Sequence, residues 1–459
     1  GWIFTLDYPS YVPFVTYSEN RALRKKMALA FGSRGFKNNK YNNEQVVLDI
    51  VRLRHERARL LGYETHAHFV LEERMAEIPE QVTNFLNELL EKAKPTALKD
   101  LAELEAMAKA DGIDELQKWD TAHYSEKLKK QRYDLDQEEL RPYFSLDKVL
   151  AGVFEIAKRL YGLTFQENAT IDTYHDEVRV FEVMDKNTER FLALLYCDFF
   201  PRSGKRNGAW MTSYKGQWKQ DGVDSRPHIS IVCNFARPTD KAPSLLTFNE
   251  VTTLFHEFGH ALHGMLANTT YPNLSGTNVY WDFVELPSQL LENWCYEQES
   301  LELFAKHYRT GELLPMKYIE KIKAASNFLE GMQTLRQLSF GFLDMAWHGN
   351  PLSPDTRVKE LESKAFDKTR LYPEVSENCM STSFLHIFQG GYASGYYSYK
   401  WAEVLDADVF ESFKEQGRTI VFVSHDLDAV ERFCDRVVLL EKGTLKTQGK
   451  PIEVLEAYS

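Results

Sequence analysis

The sequence predicts a mainly α-helical protein with a small β-sheet beside one particular helix, followed by a short α/β tail. Three observations predict it. Apolar residues recur at three- and four-residue spacing over most of the chain, as in "NNEQVVLDIVRLRHERARLLGY" and "PEQVTNFLNELLEKAK". Between about residues 176 and 236 the pattern turns to alternation, and after Gly417 the character of the chain changes again.

Residues 20 to 170 read mostly as helix, with a break or kink expected at Pro95, whose ring removes an amide donor. "EVRVFEVMDKNTERFLALLYCDFF" alternates, turns at Asp185 to Thr188 and returns through a long apolar run, the pattern of a β-hairpin; "HISIVCNF" reads as another strand. Helix resumes from 248 to about 345. A looser segment with Pro351, Pro354 and Pro373 then leads to a last helical stretch, "YASGYYSYKWAEVLDADVFESFKEQ", expected to start near Tyr392. Residues 1–417 therefore form one body of sequence. Residues 418–459 form another, running strand, helix, strand, strand, helix through "TIVFVSH", "DAVERFC", "RVVLLEKG", "TLKTQG" and "PIEVLEAY".

A chain of 459 residues with 43% hydrophobic content can bury the core of one large or two moderate domains. Its net charge of -12 argues against nucleic acid and anionic membrane as partners, because both need a local excess of Lys and Arg. No apolar run approaches the roughly 18 residues of a membrane span, and "GWIFTLDYPSYVPF" lacks the basic leader of a signal peptide. The five cysteines are odd in number and widely spaced, which suggests neither a disulfide framework nor a thiolate metal site. That cysteine pattern fits a reducing, cytoplasmic setting.

"LFHEFGHALHG", Leu254 to Gly264, carries the chemistry. Residues four apart on a helix lie about 40° apart around its axis, so His256 and His260 can aim at one cation. Glu257 sits at the edge of that face, placed to take a proton rather than to bind the metal. The bland alternative is a pair of core histidines. A catalytic zinc takes three protein ligands, and "VYWDFVELPSQLLENW" offers Asp282, Glu285 and Glu292 as the third. Glu285 is the preferred ligand and Glu292 its supporting carboxylate, since the two are seven apart and share a helix face, whereas Asp282 precedes the helix.

"FLHIFQGGYASGYYSYKW" gathers His386, Gly390, Gly391, Tyr392, Tyr396 and Tyr399. An aromatic stripe at this spacing is more often core than catalytic. Amide hydrolysis at a metal nevertheless needs donors to a tetrahedral anion, and Tyr hydroxyls and a His ring are suitable.

Together with "GKRNGAW" and "LRQLSFGFLDMAWH", these segments resemble the zinc metallopeptidases of the thimet oligopeptidase, oligopeptidase A and peptidyl-dipeptidase family over residues 1–417. "LYCDFFPRSGKRNGAWM" and "WDFVELPSQ" look closest to the bacterial peptidyl-dipeptidases. The resemblance implies a helical fold with a small sheet by one Zn2+, held by His256, His260 and Glu285, with Glu257 as general base. It implies His386, Tyr392 and Tyr399 as transition-state donors and Tyr396 in the substrate groove. It also implies short peptides as substrates, cut internally or released as C-terminal dipeptides. A peptide would pair its backbone with the sheet edge near Gly208, Ala209 and Trp210. The chain is expected to act as a monomer unless its tail drives association.

The family's N-terminal helical part and its last helices are missing from the sequence pattern, which leaves a catalytically silent chain as an alternative. The tail resembles the end of an ABC-transporter ATP-binding subunit, in which His425 would sense a nucleotide phosphate. No G-x-x-x-x-G-K-[ST] run occurs in the chain, so a nucleotide-binding site is not expected, and the junction near Gly417 reads as a joined or misassembled frame.

Overall fold

A computed structural model describes residues 1–415, 437–441, 444–450 and 454. The fold is mainly helical with a small mixed sheet, as expected. Two compact units form, each from separate stretches of chain. The first comprises Gly1–Asp134, Tyr280–Asp282 and Ala324–Trp401, and the second Leu135–Val279, Phe283–Lys323 and Ala402–Ser459.

In the first unit, the long Pro79–Ala110 helix packs along the Glu330–His348 helix. Leu86, Leu90, Leu101 and Leu104 share a buried cluster with Leu335 and Leu338. Pro95 lies inside the long helix and does not interrupt it. The proline costs about 3 kcal/mol, but burial of Ala97, Leu101, Leu104 and Ala108 beyond it offsets that loss. The Glu44–Leu60 helix buries Val47 and Val51 in a second cluster with Leu343, Trp347 and Tyr396. The last helix begins at Ser398, not near Tyr392; residues 393–397 are turns, for a reason given below.

The second unit contains a sheet with strands β1 (Leu163–Glu167), β2 (Arg179–Asp185), β3 (Phe191–Asp198), β4 (Trp210–Lys215) and, beyond a small hairpin of β5 (Trp218–Gln220) and β6 (Val223–Ser225), β7 (His228–Val232). Its order is β1-β2-β3-β7-β4. The β2–β3 hairpin is the expected one, and its turn is held by Asp185, whose Oδ1 accepts from the amides of Asn187 (2.9 Å) and Thr188 (2.8 Å). The sheet starts earlier than residue 176 because β1, too short to show alternation, pairs with β2. β7 lies parallel to β3 and antiparallel to β4, which leaves β4 at the margin.

The Phe248–Met265 helix packs against this sheet and is fixed at both ends. At its start, Thr247 and Glu250 satisfy each other's amides in a capping box. At its end, buried Arg226 donates to the carbonyls of Met265 (2.9 Å), Ala267 (3.0 Å) and, in β3, Leu192 (2.8 Å). A cation is favoured there by the helix dipole, and the third bond ties the helix end to the sheet.

A second buried charge holds the "GKRNGAW" loop. Asp198, at the end of β3, accepts from Arg202 (2.8 Å to each oxygen), Lys205 (2.8 Å) and the Tyr174 hydroxyl (3.0 Å). Lys205 also donates to the carbonyls of Phe200 (2.8 Å) and Cys233 (2.6 Å).

In the tail, β8 (Val437–Glu441) and β9 (Thr444–Gly449) form an antiparallel hairpin, where "RVVLLEKG" and "TLKTQG" are expected as strands. The elements expected at "TIVFVSH", "DAVERFC" and, apart from Val454, "PIEVLEAY" lie outside the described residues, as does His425.

Burial would raise the Asp198 carboxyl, but Arg202 and Lys205 outweigh it and hold its pKa below the ordinary range. A depressed folded pKa stabilises above the unfolded value and is lost as pH falls through the folded one. Asp198→Asn should therefore cost about 3 kcal/mol near pH 7, a gap that narrows below about pH 4. Denaturant unfolding of both proteins across that pH range checks it.

Candidate metal centre and aromatic array

His256 and His260 project from adjacent turns of the Phe248–Met265 helix with ring centroids 4.9 Å apart. Glu285 stands at the start of the Leu286–Glu292 helix, 1% exposed. Its Oε2 lies 3.1 Å from His256 Nε2 and 3.2 Å from His260 Nε2. Ligands about 2.0–2.1 Å from a tetrahedral ion are separated by about 3.3 Å, so both distances suit a shared cation. Among the described residues this is the one group of three or more His, Cys, Asp or Glu that could hold a metal ion, with ligand atoms within 4.8 Å of one another.

Gly259 makes this approach possible. A Cβ on it would lie 2.6 Å from Ser288 Cα and 2.7 Å from the Pro287 carbonyl, closer than real contacts allow. The Leu286–Glu292 helix can thus lie directly on the histidine-bearing helix and deliver Glu285 to both rings. Ser288 Oγ donates to Glu285 Oε2 (3.2 Å) and to its carbonyl (2.8 Å), which fixes the carboxylate.

Glu292 stands beside the first of these histidines. Its Oε1 accepts from His256 Nδ1 (2.7 Å), a bond that selects the tautomer whose Nε2 lone pair can face a metal ion. Burial opposes charge on His256, yet Glu285 and Glu292 hold its pKa well above the ordinary value. Burial likewise opposes charge on Glu285, yet His260 and His256 hold it well below the carboxylate range. Glu257 differs: burial pushes its carboxyl up, against the pull of both histidines, and its Oε2 has no hydrogen-bond partner among the described residues. A buried, unpaired carboxylate oxygen beside a cation site is suited to proton transfer.

Asp282, the other acid weighed as a ligand, belongs to the first unit. Its carboxylate accepts from the Ala76 amide (3.1 Å) and the Tyr397 hydroxyl (2.7 Å) and takes no part in the cluster.

The first unit gathers the aromatic set. His386 has ring centroids 6.1, 5.8 and 6.4 Å from those of Tyr392, Tyr396 and Tyr399. Tyr392 stacks on Tyr399 at 5.1 Å, although Tyr392 precedes the helix. Trp281 stacks on the other face of Tyr392 at 5.1 Å and donates from Nε1 to the Gly391 carbonyl (2.7 Å). A Cβ on Gly391 would lie 2.2 Å from the Trp281 ring, so glycine is required there. Trp281 escaped sequence reasoning, and its signal was its place in "VYWDFVELPSQ", one residue before Asp282.

In the second unit, Trp210 opens the edge strand β4, while Gly208 and Ala209 precede it. The Gly208 carbonyl accepts from Asn234 Nδ2 (2.7 Å).

The model of peptidase family M3 matches residues 14–424. The chain belongs to that family. Oligopeptidase A of Escherichia coli is 46% identical over 426 residues, covering 91% of this chain and 62% of that protein. Dipeptidyl carboxypeptidase of the same organism is 38% identical over 420 residues, covering 91% of this chain and 61% of that protein. The M3 chain thus spans about three-fifths of the length of these curated relatives. Among solved structures, PZ peptidase A with inhibitor 2 matches with a TM-score of 0.53 at 16% identity, covering 88% of this chain and 62% of that chain, a likeness of fold. These identities reverse the order expected from "LYCDFFPRSGKRNGAWM" and "WDFVELPSQ": the chain is more similar to oligopeptidase A than to dipeptidyl carboxypeptidase. Two short segments carry less information than the whole alignment.

Gly259→Ala should push Glu285 away from the rings and weaken Zn2+ binding at least about tenfold, the cost of disturbing one of three ligands. Glu292→Gln should weaken it by about 10- to 100-fold through the lost His256 partner. Competition titration against a chelator measures both; wild-type affinity in either variant would contradict the geometry.

Proposed function

We propose that this chain hydrolyses peptide bonds in short peptides, with one Zn2+ held by His256, His260 and Glu285. The reading rests on one observation: these three groups meet beside Glu257, a buried carboxyl with an unpaired oxygen. Two imidazoles and one carboxylate form a donor set suited to a catalytic zinc rather than to Ca2+ or Mg2+, which prefer all-oxygen sites. When bound, the ion supplies Lewis acidity that polarises the peptide carbonyl and makes water acidic enough to attack near neutral pH.

The protein's own groups do the rest. Glu257 takes the proton from the attacking water and delivers it to the leaving amine. Glu292 holds His256 in one tautomer. The developing oxyanion needs donors, and the family resemblance assigns that role to His386, Tyr392 and Tyr399; Tyr396, which the resemblance puts in the substrate groove, is buried with its hydroxyl 3.1 Å from Gln337 Oε1 and so supports these rings from behind. An extended peptide adds to the outer side of β4 from Trp210 onward, after Gly208 and Ala209. Its main chain supplies affinity, which suits short unstructured substrates of varied sequence.

Greater identity to oligopeptidase A favours internal cleavage, with C-terminal dipeptide release as the second reading. We place the protein in a reducing compartment, as a monomer unless its tail drives association. The described cysteines, Cys197, Cys233, Cys295 and Cys379, are all buried and unbridged, and among the described residues no helix is long and apolar enough to cross a membrane.

The test combines zinc stoichiometry with cleavage of an internally quenched peptide. Wild type should bind one Zn2+ and turn over, while Glu257→Gln should retain the ion and lose at least about 100-fold in kcat. A zinc-loaded wild type without turnover would leave the chain catalytically silent, and an unaffected Glu257→Gln would remove Glu257 from the reaction.

A further inference from the structure

The first unit holds a chain of polar groups, buried at Asp344 and His348 and half-buried at Arg54, that the proposed chemistry does not use. Asp344, on the Glu330–His348 helix, is 1% exposed. Its carboxylate accepts three successive amides: Ser394 at 2.8 Å on Oδ1, and Gly395 and Tyr396 at 2.9 Å on Oδ2. Oδ1 also faces His348 Nδ1 at 2.7 Å. The other ring nitrogen, Nε2, lies 3.0 Å from Arg54 Nη1. A guanidinium can only donate, so Nε2 accepts and Nδ1 carries the proton towards Asp344. Arg54 goes on to donate to the carbonyls of Ile387 (2.6 Å) and Phe388 (3.2 Å).

The aromatic segment is therefore gripped at two points. Arg54 holds the backbone just after His386, and Asp344 holds it between Tyr392 and Tyr399. The grip explains why residues 393–397 turn instead of continuing a helix: their amides converge on a carboxylate from another element. Burying this many charged and polar groups is costly, and an apolar helix face would pack as well. His66 closes the network from one side, its ring 5.2 Å from His348. Burial pushes the His66 pKa down to about 2, so it adds no competing charge.

We propose that Arg54, His348 and Asp344 act as a single positioning relay that sets the His386–Tyr399 segment in its working conformation. None of the three is cast as touching substrate; each acts through the backbone that carries His386, Tyr392 and Tyr399. The proposal rests on the peptidase reading for its kinetic consequence, but its structural consequence is independent.

The experiment compares wild type with Asp344→Asn, His348→Gln and His348→Leu, all zinc-loaded. In Asp344→Asn one acceptor oxygen becomes a donor facing amide donors. Its kcat should fall about 100-fold, the loss expected when an oxyanion donor is misplaced, with KM within about threefold and zinc content unchanged. His348→Gln can still accept from Arg54 and donate to Asp344, so it should retain more activity than His348→Leu. Tyr392→Phe should cost much less in the Asp344→Asn background than in wild type, because both changes remove the same contribution. Hydrogen exchange should accelerate in residues 386–399 of Asp344→Asn and His348→Leu while the Phe248–Met265 helix stays protected.

Wild-type kcat in Asp344→Asn, additive double-mutant costs, or equal activity of the two His348 variants would overturn the relay. If Asp344→Asn does not fold, the His348 pair carries the same comparison. If zinc-loaded wild type does not cleave peptides, the peptidase reading fails instead, and hydrogen exchange alone decides the relay: unchanged exchange in residues 386–399 would end it.

Discussion

The candidate centre depends on one close approach. Glu285 reaches two imidazoles from a neighbouring helix because residue 259, between those imidazoles in the sequence, has no side chain to hold the helices apart. The HEFGH pattern thus specifies more than ligands. Its histidines set the spacing of two donors, its glutamate leaves an unpaired buried oxygen, and its glycine admits the segment that supplies the third donor. A capping box and Arg226 then anchor the helix against the sheet, so that the site is built on a rod fixed at both ends.

Much of this was legible in the sequence, and for local reasons. His256, His260 and Glu257 follow from helical periodicity, and Glu285 with Glu292 follows from a seven-residue interval on one helix. The β2–β3 hairpin and β7 announce themselves through alternation and turn residues. What escaped depends on distant partners. β1 has too few residues to display a period, and Pro95 carries a local helix-breaking signal that packing overrides. The turns around Tyr392 looked helical because the Asp344 carboxylate that captures their amides comes from about fifty residues earlier.

Both units use the same device for fixing irregular backbone. In the second, Asp198 and Lys205 secure the loop leading into β4; in the first, Asp344 and Arg54 secure the segment bearing His386 and the tyrosines. Loops without regular hydrogen bonding need their amides and carbonyls satisfied elsewhere, and buried ionised side chains supply several bonds from one group. Such residues look anomalous in an apolar sequence pattern. Asp344 and His348, four apart on a largely buried helix, were visible in that sense, though nothing local names their targets.

The marginal position of β4 has a consequence of its own. A ladder addressed through main-chain atoms discriminates by conformation, not by composition, so any unfolded stretch that can reach it can pair with it, including one from another molecule of the same protein. The strand is six residues long, its register slips between Ser213 and Lys215, and it ends on a lysine. Shortness, irregularity and terminal charge each discourage sheet-to-sheet stacking, so the margin resists permanent polymerisation.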